Sequence, residues 1–245
     1  MIGSAQKLMM AASSSGASIP VTSGLTTQLE AWNIGSYPGT GTTWFDISGS
    51  GNDAIIVNNP TFSNDHFQLN GSNQYIDLNR FVASGQSELT VIVYVTFSGS
   101  TSSAATIIDE SRTDAYWQYA LLAQGWYTRD TSTGETGSRN NDITGYSPTW
   151  FTANAKRMIT TRYSVSNAFK KLTFDNATGS SFTSATSIDA LTSNGSGLRG
   201  TMRIGYPYDG SYFGGKIHAV YVYNRALTDQ EVQDVYAYID DTIGS

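Results

Sequence analysis

Residues 89–97 read LTVIVYVTF. In an extended chain Leu89, Val91, Val93, Val95 and Phe97 fall on one side, and Ile92 and Tyr94 on the other. A strand with apolar residues on both sides is covered on both sides, as in the middle of a sandwich. Outward from it, further strand candidates lie at 67–70, 75–78, 106–109, 117–123, 157–163, 171–175, 201–205 and 216–224. They are separated by clusters of Gly, Asn, Asp and Ser, which are turn chemistry: Asn and Asp bond their own backbone, and Gly permits positive φ. Residues 67–70 and 75–78 flank Gly71-Ser72-Asn73 and read as a hairpin closed by a short Gly-containing loop. Roughly ten short strands, with almost no helical periodicity between them, predict antiparallel sheets packed face to face.

One helix is expected, near the end. Thr228-Asp229-Gln230-Glu231 forms a capping box, in which the Thr hydroxyl takes a backbone N–H and the Glu reaches back. Val232, Val235, Tyr236 and Ile239 then recur at helical spacing, so one face should pack on a sheet. Residues 1–23 have a different texture: Leu8, Met9 and Met10, then a Ser/Gly/Ala stretch ending at Pro20. The apolar run at 8–12 is shorter than the core of a signal peptide. The reading is an N-terminal arm over 1–23, followed by one domain over 24–245.

The chain has 245 residues, with 14 Lys and Arg against 20 Asp and Glu and a net charge of -6. At 39% hydrophobic and 12% aromatic it can build a core, which argues against disorder. Its 14% charged residues are far too few for a coiled coil. The acidic balance opposes sequence-independent nucleic-acid binding, because the longest basic run is Lys170-Lys171. With no cysteine, disulfides, thiolate zinc sites, iron–sulfur clusters and cysteine nucleophiles are excluded. No stretch reaches the roughly 20 apolar residues of a membrane helix.

Reactive constellations are sparse. No E-x-D-x-E string exists, and Glu30, Glu88, Glu110, Glu135 and Glu231 lie far apart, so the carboxylate pair of a glycosidase is not expected. Gly195-Ser196-Gly197 is one residue too tight for a nucleophile elbow. His66 and His218 are the only histidines and show no ligand spacing, so no metal site and no cofactor is expected. Asp46, before Ser48-Gly49-Ser50-Gly51, reads as a turn cap, with calcium binding through Asp46, Asn52 or Asp53 as the alternative. Arg225 sits at a strand-to-helix corner, where its five donors can bond several oxygens. Aromatic residues are the remaining functional material: Tyr206, Tyr208, Tyr212 and Trp126 suit either glycan stacking or subunit contact.

Three segments carry a resemblance. TWFDISGSGND (43–53) resembles the W-x-D-x-S-G-x-G-N segment of laminin-G-like, concanavalin-A-type jelly-roll domains. FQLNGSNQYIDL (67–78) resembles their next signature, and GKIHAVYVYNRALTDQEV (215–232) their closing strand, corner and capped helix. The resemblance implies an all-β, antiparallel two-sheet β-sandwich jelly roll, with an N-terminal arm and one short C-terminal helix. Where the family often carries acidic residues in its closing strand, His218 and Ala219 stand here, which weakens a carried-over metal site. SYPGTGTTWFDISG (36–49) and MIGSAQKLMMAAS (1–13) also resemble structural proteins of marine and cyanobacterial phages. That likeness implies a non-enzymatic virion protein displayed on the particle surface: a capsid decoration (cement) protein, head fibre or tail fibre. Leu8, Met9 and Met10 would then dock on a major capsid or tail protein, Met being adaptable to irregular surfaces. A homo-oligomer is expected, a trimer by analogy, with neither nucleic acid nor membrane as partner. The alternative is a carbohydrate-binding, lectin-like module for adsorption to host-surface glycans.

Overall fold

The computed structural model describes residues 18–83, 85–98, 105–111, 117–122, 125–128, 143–144, 153–175, 180–184, 201–207 and 211–243. Along the chain run β1 (Leu25–Glu30), β2 (Thr43–Trp44), β3 (Ala54–Val57), β4 (Thr61–Ser63), β5 (His66–Asn70) and β6 (Tyr75–Asp77). Next come β7 (Glu88–Phe97), β8 (Ala105–Ser111), β9 (Trp117–Leu122), β10 (Gly125–Thr128), β11 (Ile143–Thr144) and β12 (Lys156–Ser164). The last are β13 (Phe169–Phe174), β14 (Ser180–Ser184), β15 (Arg203–Ile204), β16 (Ser211–Tyr212), β17 (Gly214–Tyr223) and the helix α1 (Asp229–Ile243).

These strands form two sheets. The first runs β14-β13-β12-β7-β17-β5-β4, with β1 also paired to β17; the second runs β11-β10-β9-β8-β15-β6-β3-β2, with β16 on β8. All the pairings are antiparallel except the two-residue β16–β8 contact. The architecture is an all-β, two-sheet sandwich with one C-terminal helix. Between the sheets, Leu89, Val91, Val93, Val95 and Phe97 meet Trp44, Ile56, Ile76 and Ile204. The opposite side of β7, Ile92 and Tyr94, lies in a second core with Val232, Val235 and Ile239 of α1. The strand is therefore covered twice, once by a sheet and once by the helix.

The helix is pinned where the capping box predicted. Glu231 N–H donates to Thr228 Oγ1 at 3.2 Å, and Thr228 N–H to Glu231 Oε2 at 2.8 Å. Arg225 grips both Glu231 oxygens at 2.8 and 2.6 Å and donates to the Ser23 carbonyl at 2.8 Å. That guanidinium holds the Glu231 carboxyl down at about 2. Buried Glu30 accepts from Gln28 Nε2, Asn33 Nδ2, Tyr221 Oη and Tyr238 Oη, joining β1, β17 and α1 with no cation among the described residues bonded to it. Asp46 caps its turn: Oδ1 accepts from the N–H groups of Gln28 and Ser48, and Oδ2 from Ser48 Oγ and the Asn52 N–H.

Two sequence expectations need correction. Residues 67–78 are not a hairpin: β5 pairs with β17 and β4 in one sheet, whereas β6 pairs with β3 and β15 in the other. The turn is an inter-sheet corner, closed by Asn70 Oδ1 accepting from the Ser72 and Asn73 N–H groups at 2.9 and 3.1 Å. At its apex Gly71 (φ +69) passes so close to β17 that a Cβ would lie 3.3 Å from Gly214 Cα. Second, the end of the proposed arm belongs to the packed body. Ile19 and Val21 are buried in the second core, and Tyr223 Oη donates to the Val21 carbonyl at 3.1 Å. Leu8, Met9 and Met10 lie outside the described residues.

Candidate functional site

The outer face of the second sheet carries a half-buried aromatic cluster. Ile76 in β6 and Ile204 in β15 point into the core, so strand alternation turns Tyr75, Asp77 and Arg203 outward. Arg203 stands opposite Asp77 in the register. Its Nε donates to Asp77 Oδ2 at 3.3 Å, while Thr201 Oγ1 donates to Asp77 Oδ1. After β15 the chain leaves the sheet at Gly205 (φ +87), where a Cβ would press to 2.6 Å from Leu69 Cδ1. This exit lays Tyr206 edge-on against Tyr75, with ring centroids 4.8 Å apart, and places Tyr212 of β16 at 5.5 Å from Tyr206. The Arg203 guanidinium lies 4.5 Å from the Tyr206 ring centre and 5.7 Å from that of Tyr75. Burial pushes the Tyr212 hydroxyl above its ordinary value, so it remains a neutral donor.

This arrangement combines apolar ring surface with directed polar groups. Among the described residues the two terminal nitrogens of Arg203 have no protein partner, and the side chain is 24% exposed. Amphipathic Tyr rings can pack against the C–H faces of a sugar, and a guanidinium fork suits hydroxyl or carboxylate oxygens. Of the residues picked out from sequence, the structure brings Tyr206 and Tyr212 together. Tyr208 lies outside the described residues. Trp126 is a correction: it is 0% exposed, packed 5.6 Å from Tyr119, with buried Lys170 Nζ 4.6 Å from its ring centre. It is an interior residue and offers no surface contact. Tyr75 and Arg203 escaped the sequence reading, although alternation with Ile76 and Ile204 marks both as outward-facing.

A second polar cluster brings the two histidines, 152 positions apart in sequence, to one place beside Asp65. His66 opens β5, and His218 stands where the register of β17 slips between Ile217 and Ala219. There the edge of β17 changes partner, from β5 at Ile217 to β1 at Ala219. Such a bulge re-aims side chains. His218 and Ala219 both leave the inter-sheet core, and the imidazole reaches the β4–β5 turn. His66 Nδ1 lies 2.7 Å from Asp65 Oδ1, and His218 Nδ1 lies 3.3 Å from Asp65 Oδ2 and 3.1 Å from the Asp65 carbonyl. His218 Nε2 meets Thr96 Oγ1 at 2.9 Å. Burial pushes His218 below its ordinary value, whereas the hydrogen bond from His218 holds Asp65 well below the usual carboxylate range. A neutral imidazole donating to an ionised carboxylate satisfies both shifts.

No family model matches the chain, and no curated protein matches it by sequence. Solved structures match it in shape. Trypanosoma rangeli sialidase, in complex with the inhibitor DANA, is 15% identical with a TM-score of 0.60; the match covers 94% of this chain and 35% of the sialidase. The chain thus spans about a third of that enzyme's length. Domain 4 of AbnA, a GH43 extracellular arabinanase from Geobacillus stearothermophilus, in complex with arabinotriose, is 18% identical with a TM-score of 0.57. That match covers 86% of this chain and 98% of the domain. At these identities the likeness establishes the class of fold, a β-sandwich of jelly-roll type.

Proposed function

We propose that this chain is a non-enzymatic, glycan-binding domain of the laminin-G-like, concanavalin-A-like type, displayed on the surface of a bacteriophage virion. The observation that carries glycan binding is the Tyr75–Tyr206–Tyr212 cluster with Arg203 beside it, whose terminal nitrogens have no partner among the described residues. The match to a domain solved in complex with arabinotriose supports the same reading. A non-catalytic role is supported by the commitments of the described glutamates. Glu30 is buried among tyrosines, Glu88 accepts from Ser164 and Ser166, Glu110 from the Val82 and Ala83 N–H groups, and Glu231 from Arg225. The virion setting rests on the likeness of residues 1–13 and 36–49 to phage structural proteins. In that setting Leu8, Met9 and Met10 dock on a capsid or tail protein, the sandwich faces solvent as an oligomer, and glycan binding serves adsorption.

A glycan array probed with the full chain tests the binding half. Saturable binding to one sugar class, lost in Tyr206→Ala and Arg203→Ala, is expected. An array with no bound sugar, or binding untouched by both substitutions, overturns it. Immunogold labelling of intact particles tests the setting independently, and particles lacking the chain would refute it.

A further inference from the structure

We propose that Asp65, His66 and His218 form a site for one divalent transition-metal ion of the zinc, nickel or copper class. One ligand atom from each residue can be chosen so that all three lie within 4.8 Å of one another. A tetrahedral ion with bonds of about 2.0–2.2 Å holds its donors roughly 3.3 Å apart. The two imidazoles face the two oxygens of one carboxylate: His218 Nδ1 lies 3.3 Å from Asp65 Oδ2, and His66 Nδ1 lies 2.7 Å from Asp65 Oδ1. An ion taking the place of the hydrogen-bonded protons would draw onto itself three donors that already lie within 4.8 Å of one another. Two imidazoles with one carboxylate suit zinc, nickel and copper, and are too nitrogen-rich for calcium or magnesium.

Two independent features prepare the site. Thr96 Oγ1, 2.9 Å from His218 Nε2, occupies the far side of that ring and leaves Nδ1 facing Asp65. Metal-binding histidines characteristically have their second nitrogen held this way, which sets the tautomer and the ring orientation. The bulge in β17 is the second feature, since it turns His218 out of the inter-sheet core and toward the β4–β5 turn. Access comes from the other side: the Asp65 and His66 side chains are 31% and 12% exposed, against 1% for His218. Three protein ligands with one open side leave room for a water or an exogenous donor on the ion.

The test is calorimetric titration of the chelator-treated full chain with zinc, nickel or copper chloride alone. One ion per chain with a micromolar or tighter Kd is expected, with no response to calcium or magnesium. X-ray absorption of the zinc form should show two imidazole ligands, and the chain has no other histidines to supply them. His66→Gln should weaken binding at least about tenfold. Thr96→Val, which keeps the side-chain shape, should weaken it about 10- to 100-fold. These two variants decide the matter even where substitution of buried His218 prevents folding. Absence of binding, fewer than two imidazoles on the ion, or unchanged affinity in both variants would show that the cluster is only a hydrogen-bonded brace.

Discussion

Replacing Ile19 by Ala tests where the folded body begins. Ile19 is 3% exposed and belongs to the core between the first sheet and α1. Truncation removes three carbon atoms, worth about 2.4 kcal/mol in transfer free energy at about 0.8 each. The incompletely collapsed cavity adds to this, for a total of about 3–4 kcal/mol. In a domain of this size that corresponds to a fall in Tm of roughly 6–16 °C. Urea unfolding followed by tryptophan fluorescence, with scanning calorimetry, reads both quantities. The same reasoning says that deleting residues 1–23 as a whole does more than remove a tether. It strips Ile19 and Val21 from the core, and it takes the carbonyl acceptors of Tyr223 Oη and Arg225 Nε. A loss below about 1 kcal/mol in Ile19→Ala would refute the packing of this segment.

Trp44→Ala should cost about 3–5 kcal/mol in urea unfolding, because the ring is fully buried edge-on against Phe67, 4.8 Å away. Among the described residues its Nε1 has no hydrogen-bond partner, so the loss is one of packing, and a change under about 1 kcal/mol would contradict it. Glu231, lowered from 4.5 to about 2 by Arg225, contributes stability above its unfolded value and loses it as pH falls through that window. Glu231→Gln should therefore flatten the acid limb of stability while costing about 1 kcal/mol at neutral pH, a surface-pair magnitude; an unchanged acid limb would count against the pairing. Calcium should leave the melting temperature unchanged, because both Asp46 oxygens are already engaged, whereas Asp46→Ala should cost at least about 2 kcal/mol. A calcium-dependent rise in Tm in the parent protein, abolished in that variant, would reverse the assignment.

What the sequence by itself determined is what local chemistry controls. The alternation of 89–97 placed a doubly covered strand in the right segment, and the segments expected to be strands all contain strands. Thr228 and Glu231 start the helix because the capping box closes within one turn, and Asp46 caps a turn whose donors lie mostly within six residues. Strands such as β1 and β3 were less legible, since β1 mixes buried Thr27, Gln28 and Glu30 with Leu29, and β3 carries an exposed Ile55. Polar residues were admitted to that core because long-range partners satisfied them.

Only the tertiary structure decided which sheet each strand joins. A period of two tells which face of a strand is apolar and says nothing about its neighbour, so Asn70–Gln74 looks alike as a hairpin loop and as an inter-sheet corner. The same blindness hid Tyr75 and Arg203 beside the tyrosines that the sequence did single out, and it hid the meeting of the two histidines. Arg203 meets Asp77 across 126 positions, and His218 meets Asp65 across 153, contacts created by strand register and a bulge. Trp126 went inside because Tyr119 and Lys170, brought alongside by the fold, enclose it. Local propensity writes the strands and caps, while the burial of shared faces selects the pairings, and in this protein the candidate sites are made by the pairings.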